Sequence, residues 1–360
     1  MAPPTHPALQ QIYHLDRSSS DFHDKLDNVL HGQEYYQCIP NLKEGDLVWL
    51  VNYLDKTLDR LGPSSPAFRK CLRELRSICG ARATLPTAYT LPFDLITVGP
   101  IPFASGGSGD VYKETLNGST VCVKRVRVST QDDLAAAAKI FCQEAVMWKH
   151  LKHPNILPLL GVTLSPLQLV SNWMPGGDLS GYVKNSDTNR LGLSRHQLSD
   201  VAKGLHYLHS RNVIHGDLKG FNILVDVEHN QVHARIADFG LAIVTKNLNS
   251  IRLTTSQNFQ TPLWCAPEVL YGEDPTKESD IFSFAMVMIE IFTGAIPFSG
   301  RSVFVAISAI MGGERPPRPA HPTFTDNLRT LMQRCWDQDP RLRPEISEVL
   351  QILHPPSISH

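Results

Sequence analysis

The apolar residues of this chain change their spacing twice, and that change limits the fold more than any other feature. Up to Gly80 they recur at three- and four-residue intervals, from Phe103 they alternate, and beyond Asp178 helical spacing returns. A helix aligns residues i, i+3 and i+4 on one face, whereas a strand sends successive side chains to opposite faces, so each pattern can bury its apolar side in only one kind of element. The order implies a helical region, then a β-rich part, then a mostly helical part: an α+β architecture of two lobes with a cleft between them.

Before the first change, Phe22, Leu26, Val29 and Leu30 fall on one helical face before Gly32. Leu47, Leu50, Val51, Leu54, Leu58 and Leu61 do so before Gly62-Pro63, and Phe68, Cys71, Leu72, Leu75 and Ile78 before Gly80. In the last of these, Ser65 is suited to cap the free amides, Pro66 to open the helix and Gly80 to close it in a left-handed turn. Residues 1–20 read as a flexible tail with a helix start at Ser20, residues 21–83 as a helical region and residues 84–97, rich in Pro and Thr, as a linker. Such amphipathic helices need apolar partners, either one another or the domain that follows. That domain is expected over residues 98–354, with a tail at 355–360. It opens with strand-like runs at Asp110 to Leu116 and Ser119 to Val128 around Asn117-Gly118, a strong hairpin signal. An Ala-rich helix from Gln131 towards Lys149 and strands at Leu157 to Val162 and Leu167 to Asn172 come next. A strand-and-loop island from Val213 to Ala242 interrupts the later helices.

Charge excludes little but is informative in one respect: a formal net charge of -1 provides no global field for nucleic acid or an anionic membrane. The seven cysteines are scattered and contain no Cys-x-x-Cys pair, unlike a disulfide framework or a zinc site, and a reducing compartment fits them best. Met1 to Leu15 lacks the basic-then-apolar order of a signal peptide, and Ile281 to Phe298, broken by Glu290 and Gly294, reads as a core helix and not a bilayer span. A cytoplasmic protein with no nucleic-acid partner is the expectation.

The chemistry lies in three clusters. Ala104-Ser105-Gly106-Gly107-Ser108-Gly109 joins two strands, so it is neither a dinucleotide turn opening a helix nor a Walker loop; it is a plain turn or a loop that covers phosphates. Lys124 ends an alternating run, and Glu144 on the following helix is its candidate ion-pair partner. Within His215-Gly216-Asp217-Leu218-Lys219-Gly220-Phe221-Asn222 and Asp238-Phe239-Gly240, three groups able to bind a metal or a proton fall in one short span: Asp217, Asn222 and Asp238. Carboxylate and amide oxygens suit magnesium, a carboxylate can take a hydroxyl proton, and Lys219 can neutralise a moving phosphoryl group.

In this order, over about 260 residues, these motifs resemble the signature set of the protein kinases. The resemblance implies a bilobal protein-kinase fold, with a small β-rich N-lobe and a larger helical C-lobe, that uses ATP and Mg2+. It places Gly106 and Gly109 at the phosphates, Val111 and Leu224 above and below the adenine, and Cys122 among the nucleotide-binding residues. Lys124 falls on the phosphates with Glu144 as its partner, Ser171 at the back-pocket gate, Asn172 to Met174 at the hinge and Asp178 at the ribose. Asp217 becomes the base, with Lys219 beside it, and Asn222 and Asp238 the magnesium ligands. Structural roles fall to His215, Phe239, Gly240, Thr261 and Asp280, the last bracing the catalytic loop, and to Glu268 with its expected partner Arg343.

Lys219 and Thr261 are similar to serine/threonine kinases, whereas Trp173 to Leu179 and Arg334 to Pro344 resemble the tyrosine-kinase-like branch. The run His215 to Gly220 resembles the kinase expansions of mushroom-forming fungi. Protein substrates bearing Ser or Thr follow from this resemblance, and the N-terminal helices are candidates to engage a signalling partner. The chain departs from the family pattern at Ala104, in place of the first loop glycine, and at Gly216, in place of the usual Arg that reads a phosphorylated activation segment. Gln260 and Ala285 each replace a usual Gly. The alternative reading is a pseudokinase or adaptor, and retention of Lys124, Asp217 and Asp238 argues for an enzyme.

Overall fold

The protein is described here by a computed structural model covering residues 2–15, 19, 21–30, 32–62, 65–92, 98–106, 109–128, 130–185, 190–228, 231–239, 243–244 and 261–354. The expected helix start at Ser20 and the tail at 355–360 lie outside the described residues. The chain divides into two compact units, one of residues 1–105, 109–151 and 158–172, the other of residues 106–108, 152–157 and 173–360. The first carries a small sheet preceded by helices and the second is mostly helical, which is the bilobal class that the change of period implies.

In the first unit the chain forms α1 (Pro7–Tyr13), α2 (Phe22–Leu30), α3 (Gln33–Cys38), α4 (Glu44–Leu58) and α5 (Pro66–Arg82). Then come β1 (Ala104–Gly106), β2 (Gly109–Leu116), β3 (Ser119–Arg125), α6 (Gln131–Lys149), β4 (Leu159–Leu164) and β5 (Leu167–Asn172). The sheet order is β1-β2-β3-β5-β4. Asn117 and Gly118 both take positive φ, 50° and 80°, which gives the hairpin turn the twist its strands require. Tyr112, Leu116, Val121, Val123 and Val170 form a core cluster, and Leu91, Val98 and Leu160 pack against it.

Three expectations for the N-terminal region are corrected. Residues 7–13 are helix, not loose tail: Leu9 and Ile12 are fully buried, and the Thr5 amide and hydroxyl donate to Asp46 at 2.6 and 2.7 Å. Gly80 does not end its helix. Helix α5 continues to Arg82 and stops at Ala83, whose φ of 47° makes the left-handed turn. Gly80 serves close approach instead, because a Cβ there would lie 2.3 Å from the Gln143 side chain of α6. The linker is also partly structured: Thr87–Tyr89 form a 3-10 turn, Tyr89 is buried, and the Leu91 amide donates to the Val162 carbonyl at 2.8 Å.

Helix α5 packs against both α4 and α6. The junction is polar at one point, where the Tyr89 hydroxyl donates to Asp55 at 2.6 Å and His150, just beyond α6, meets Asp55 at 3.1 Å and Tyr89 at 2.8 Å. Burial pushes the Asp55 carboxyl up, but the hydrogen bonds from His150 and Tyr89 outweigh it and hold the group below its ordinary value. Three elements distant in sequence thus share one buried acceptor.

The second unit contains α7 (Leu179–Asn185), α8 (Arg190–Ser210), β6 (Val213–Ile214), β7 (Ile223–Glu228), β8 (Gln231–Ile236) and β9 (Ile243–Val244). Helices α9 (Pro267–Leu270), α10 (Lys277–Thr293), α11 (Val303–Met311), α12 (Asp326–Cys335) and α13 (Ile346–Leu353) complete it. Helix α10 is its axis, buried from Ser279 to Phe292 and packed against α7, α8 and α12. A Thr276–Ser279 capping box starts it and Gly294, at φ 68°, ends it. Each fully buried Phe, Met or Ile on this helix contributes about 1.5–3 kcal/mol by leaving water. Among the described residues no helix is long and apolar enough to cross a membrane.

The shared acceptor at Asp55 sets a graded expectation. Tyr89→Phe, which removes one donor, should cost about 1 kcal/mol, and His150→Ala, which strips the carboxylate of a polar partner, about 1–3 kcal/mol. Denaturant unfolding followed by tryptophan fluorescence checks this, and unchanged midpoints for both variants would contradict it.

Candidate active site

The loop between β6 and β7 is set by groups that sit far from it in sequence. Asp280, near the start of α10 and 1% exposed, accepts the amides of His215 and Gly216 at 2.9 Å each and meets His209 Nε2 at 2.9 Å. His215 is held from both ring nitrogens: Nε2 lies 3.0 Å from the Ala237 carbonyl, and Nδ1 accepts the Asp217 amide at 3.2 Å. Its ring meets that of buried Phe239 edge-on, with centroids 5.6 Å apart. The backbone around Asp217 is therefore fixed before its side chain makes any contact.

That side chain lies in a small polar cluster. Lys219 Nζ is 2.7 Å from Asp217 Oδ2, and the Asn222 amide nitrogen donates to the same oxygen at 2.9 Å and to the Asp217 carbonyl at 2.8 Å. Burial raises the Asp217 carboxyl above its ordinary value, the Lys219 charge opposes the rise, and Asp238 adds to it. A carboxylate with raised affinity for a proton, held by a lysine, is equipped to accept one from a hydroxyl. The Ala237 amide donates to the Asn222 carbonyl at 2.8 Å, which ties the segment carrying Asp238 to this loop. Asp238 itself takes a left-handed φ of 62°, a conformation that Asp tolerates better than most residues.

Asn222 and Asp238 each carry a hard oxygen donor. Because the Asn222 amide nitrogen is committed to Asp217, its oxygen is the end left to coordinate, and an amide oxygen with a carboxylate fits magnesium and not a soft metal. Leu224 on β7 bridges Asp178, whose carboxylate accepts the Gly181 amide at 2.9 Å. Met174 is buried and its carbonyl accepts the Gly177 amide at 3.0 Å. Further along, Arg343 grips Glu268 through two bonds of 2.6 and 2.8 Å. Gly240 and Gln260 lie outside the described residues. Thr261 begins a short 3-10 turn, Thr261–Trp264.

A second group of sequence-selected residues sits on the sheet of the first unit. Register pairs Val111 with Lys124, Cys122 with Ser171, and Lys124 with Leu169, and cross-strand partners share a face, so Val111, Cys122, Lys124 and Ser171 line one side of the sheet. Asn172 is the exposed last residue of β5, and Glu144 lies on α6. Gly106 closes β1 and Gly109 opens β2.

Two functional supports escaped the sequence reading. Glu290 of α10 accepts the Gly220 amide at 2.9 Å, the Trp264 indole at 2.7 Å and the Ser180 hydroxyl at 2.5 Å, joining the loop of Asp217 to the 3-10 turn at Thr261. Its signal was visible as the one acid in the apolar stretch Ile281 to Phe298, since an unpartnered charge there would be prohibitively costly. The other is Asp110 beside the glycine-rich turn, bound by Arg127 at 2.6 and 3.0 Å and by the Ser105 hydroxyl at 2.6 Å. These bonds, Arg127 first, lower its carboxyl to about 2.

With this geometry established, similarity to known proteins is informative. Residues 102–353 match a family described as protein tyrosine and serine/threonine kinase. The chain is 34% identical over 253 residues to a probable serine/threonine-protein kinase of Dictyostelium discoideum, covering 69% of this chain and 26% of that protein. To the Arabidopsis thaliana serine/threonine-protein kinase STY46 it is 32% identical over 256 residues, 69% of this chain and 42% of the relative. To human mitogen-activated protein kinase kinase kinase 11 it is 34% identical over 261 residues, 69% of this chain and 30% of the relative. The chain spans less than half the length of each of these relatives, and helices α1 to α5 lie outside the matched range.

Burial pushes the Glu290 carboxyl up to about 7 despite its three donors. The folded protein then holds this proton more tightly than the unfolded chain, so the group's contribution to stability is complete below about 4.5 and is lost as pH rises through about 7. Thermal unfolding across that range should show stability falling with pH in the native protein and a flatter profile in Glu290→Gln; parallel profiles would contradict the assignment.

Proposed function

The chain belongs to the protein kinase family, with a tyrosine-kinase-like serine/threonine kinase domain, and on that premise we propose that it transfers the γ-phosphoryl group of Mg-ATP to serine and threonine hydroxyls of protein substrates. The observation that carries the proposal is the Asp217 cluster: a proton acceptor held by Lys219 and Asn222 at 2.7 and 2.9 Å, on a backbone pinned by Asp280. Phosphoryl transfer needs little covalent help from the protein, so positioning and charge stabilisation are its main tasks.

In this reading Asp217 orients the substrate hydroxyl and takes its proton, while the Lys219 ammonium offsets negative charge on the phosphoryl group in flight. Asn222 and Asp238 hold magnesium, which when bound neutralises the phosphate oxygens. Lys124 holds the α- and β-phosphates, with Glu144 of α6 as its ion-pair partner, and Gly106 and Gly109 let the backbone approach them. Val111, Cys122, Ser171, Asn172, Met174, Asp178 and Leu224 complete the nucleotide contacts. His215, Phe239, Gly240, Thr261, Asp280 and the Glu268–Arg343 pair are positioning residues.

Helices α1 to α5 have a place in this scheme. Most of their apolar residues are buried, and α5 lies along α6, which carries Glu144. We assign them the role of a built-in brace on α6, which leaves their outer surface for any signalling partner.

Gly216 takes the place of the arginine that answers a phosphorylated activation segment, and its amide is spent on Asp280. Activity should therefore survive phosphatase treatment; loss of activity that returns only on rephosphorylation would count against this. Mg-ATP autophosphorylation and a peptide library test the main proposal. Asp217→Ala should lower incorporation at least 100-fold, in line with loss of a general base, and label should appear on Ser and Thr. Equal incorporation by the native and variant proteins would remove Asp217 from its role.

A further inference from the structure

Away from the proposed active site, the second unit brings together three metal-ligating side chains that the kinase reading does not use. His196 and Asp200 stand four residues apart on α8, hence on one helical face, and His233 is on β8. His196 Nδ1 lies 3.5 Å and His233 Nδ1 3.4 Å from the same atom, Asp200 Oδ2, and the three ligand atoms all lie within 4.8 Å of one another. From this geometry we propose a binding site for a divalent transition-metal ion, zinc in the first instance, held by His196, Asp200 and His233.

The distances are compatible with a metal cradle and longer than those of close hydrogen bonds. Nitrogen-to-oxygen hydrogen bonds concentrate at about 2.7–3.2 Å. Zinc bonds of about 2.0–2.2 Å at tetrahedral angles place neighbouring ligand atoms roughly 3.3–3.5 Å apart. Both imidazole nitrogens sit at the second separation from the carboxylate. The remaining gap is between the two histidines, whose rings meet edge-on with centroids 5.4 Å apart. His196 has a side chain 56% exposed, so a small rotation of an unconfined ring closes that gap at low cost.

The anionic ligand is preset. Asp200 is 3% exposed, and the Ala234 amide donates to Oδ2 at 3.1 Å, fixing the carboxylate towards the histidines. Two neutral imidazoles and one carboxylate form a borderline donor set that suits zinc, cobalt, nickel or copper over magnesium or calcium. The fourth position is left to water. Lys203, 4.0 Å from Asp200 Oδ1, adds a positive charge that weakens cation binding and favours micromolar over nanomolar affinity. A bound ion would join α8 to the β7–β8 hairpin, one end of which follows Asn222 while the other precedes Asp238.

The test uses the full chain, stripped with chelator and titrated with Zn2+ by calorimetry and thermal unfolding at pH 7.5, with Co2+ absorption as a ligand probe. One zinc should bind with micromolar affinity and raise Tm, and cobalt should give d–d bands without thiolate charge transfer. His196→Ala and His233→Ala should each weaken zinc binding at least tenfold while leaving the zinc-free Tm near that of the native protein. Asp200→Asn is less informative, because it disturbs the Ala234 contact. Failure of the native protein to bind at 100-fold excess over a micromolar Kd would overturn the proposal, as would native affinity retained in both histidine variants, which would place the zinc on other histidines or on cysteines.

Discussion

The buried carboxylate of Asp280 is the contact from which the rest of the candidate active site follows. A charge at 1% exposure is tolerable only when hydrogen bonds replace its water, and Asp280 obtains them from two consecutive loop amides and His209. Those donors are the backbone of the residues just before Asp217. The requirement that satisfies the acid therefore fixes the loop, and His215 carries the constraint on to Ala237. The same logic recurs at Glu290, where a single acid answers Gly220, Trp264 and Ser180, and at Glu268 with Arg343. Helix α10 supplies both Asp280 and Glu290, so its apolar burial serves to hold two buried acids in register with the loop.

The first unit solves a different problem. Its sheet must hold Lys124 on one face while hiding Val121 and Val123 on the other, and alternation in β3 achieves this. The hidden face is covered from the preceding chain by Leu91 and Val98. Helix α6 is flanked by α5 and fastened at its end by the Asp55–Tyr89–His150 contacts, while Lys149 donates to the Leu160 carbonyl at 2.9 Å. Of the helices before residue 84, α5 is thus the structural neighbour of the element that carries Glu144.

Local chemistry was written in the chain itself. Alternation and the Asn117-Gly118 pair determined the β2–β3 hairpin, and helical spacing marked α2, α4 and α5, because backbone geometry permits one period per element, while α6 was marked by its alanine content. Asp217, Asn222 and Asp238 could be singled out in the chain because the proposed roles demand particular oxygens and charges in a short span. Only the tertiary structure decided the matters that depend on long-range packing. Residues 7–13 look polar until Leu9 and Ile12 find a core, and Gly80 looks like a helix stop until Gln143 approaches it. The assignment of Glu290 to three donors and the gathering of His196, Asp200 and His233 also required the fold. Sequence specifies what each segment can do alone, whereas the partners of a buried charge or a close-packed helix come from chain segments whose distance along the sequence carries no signal.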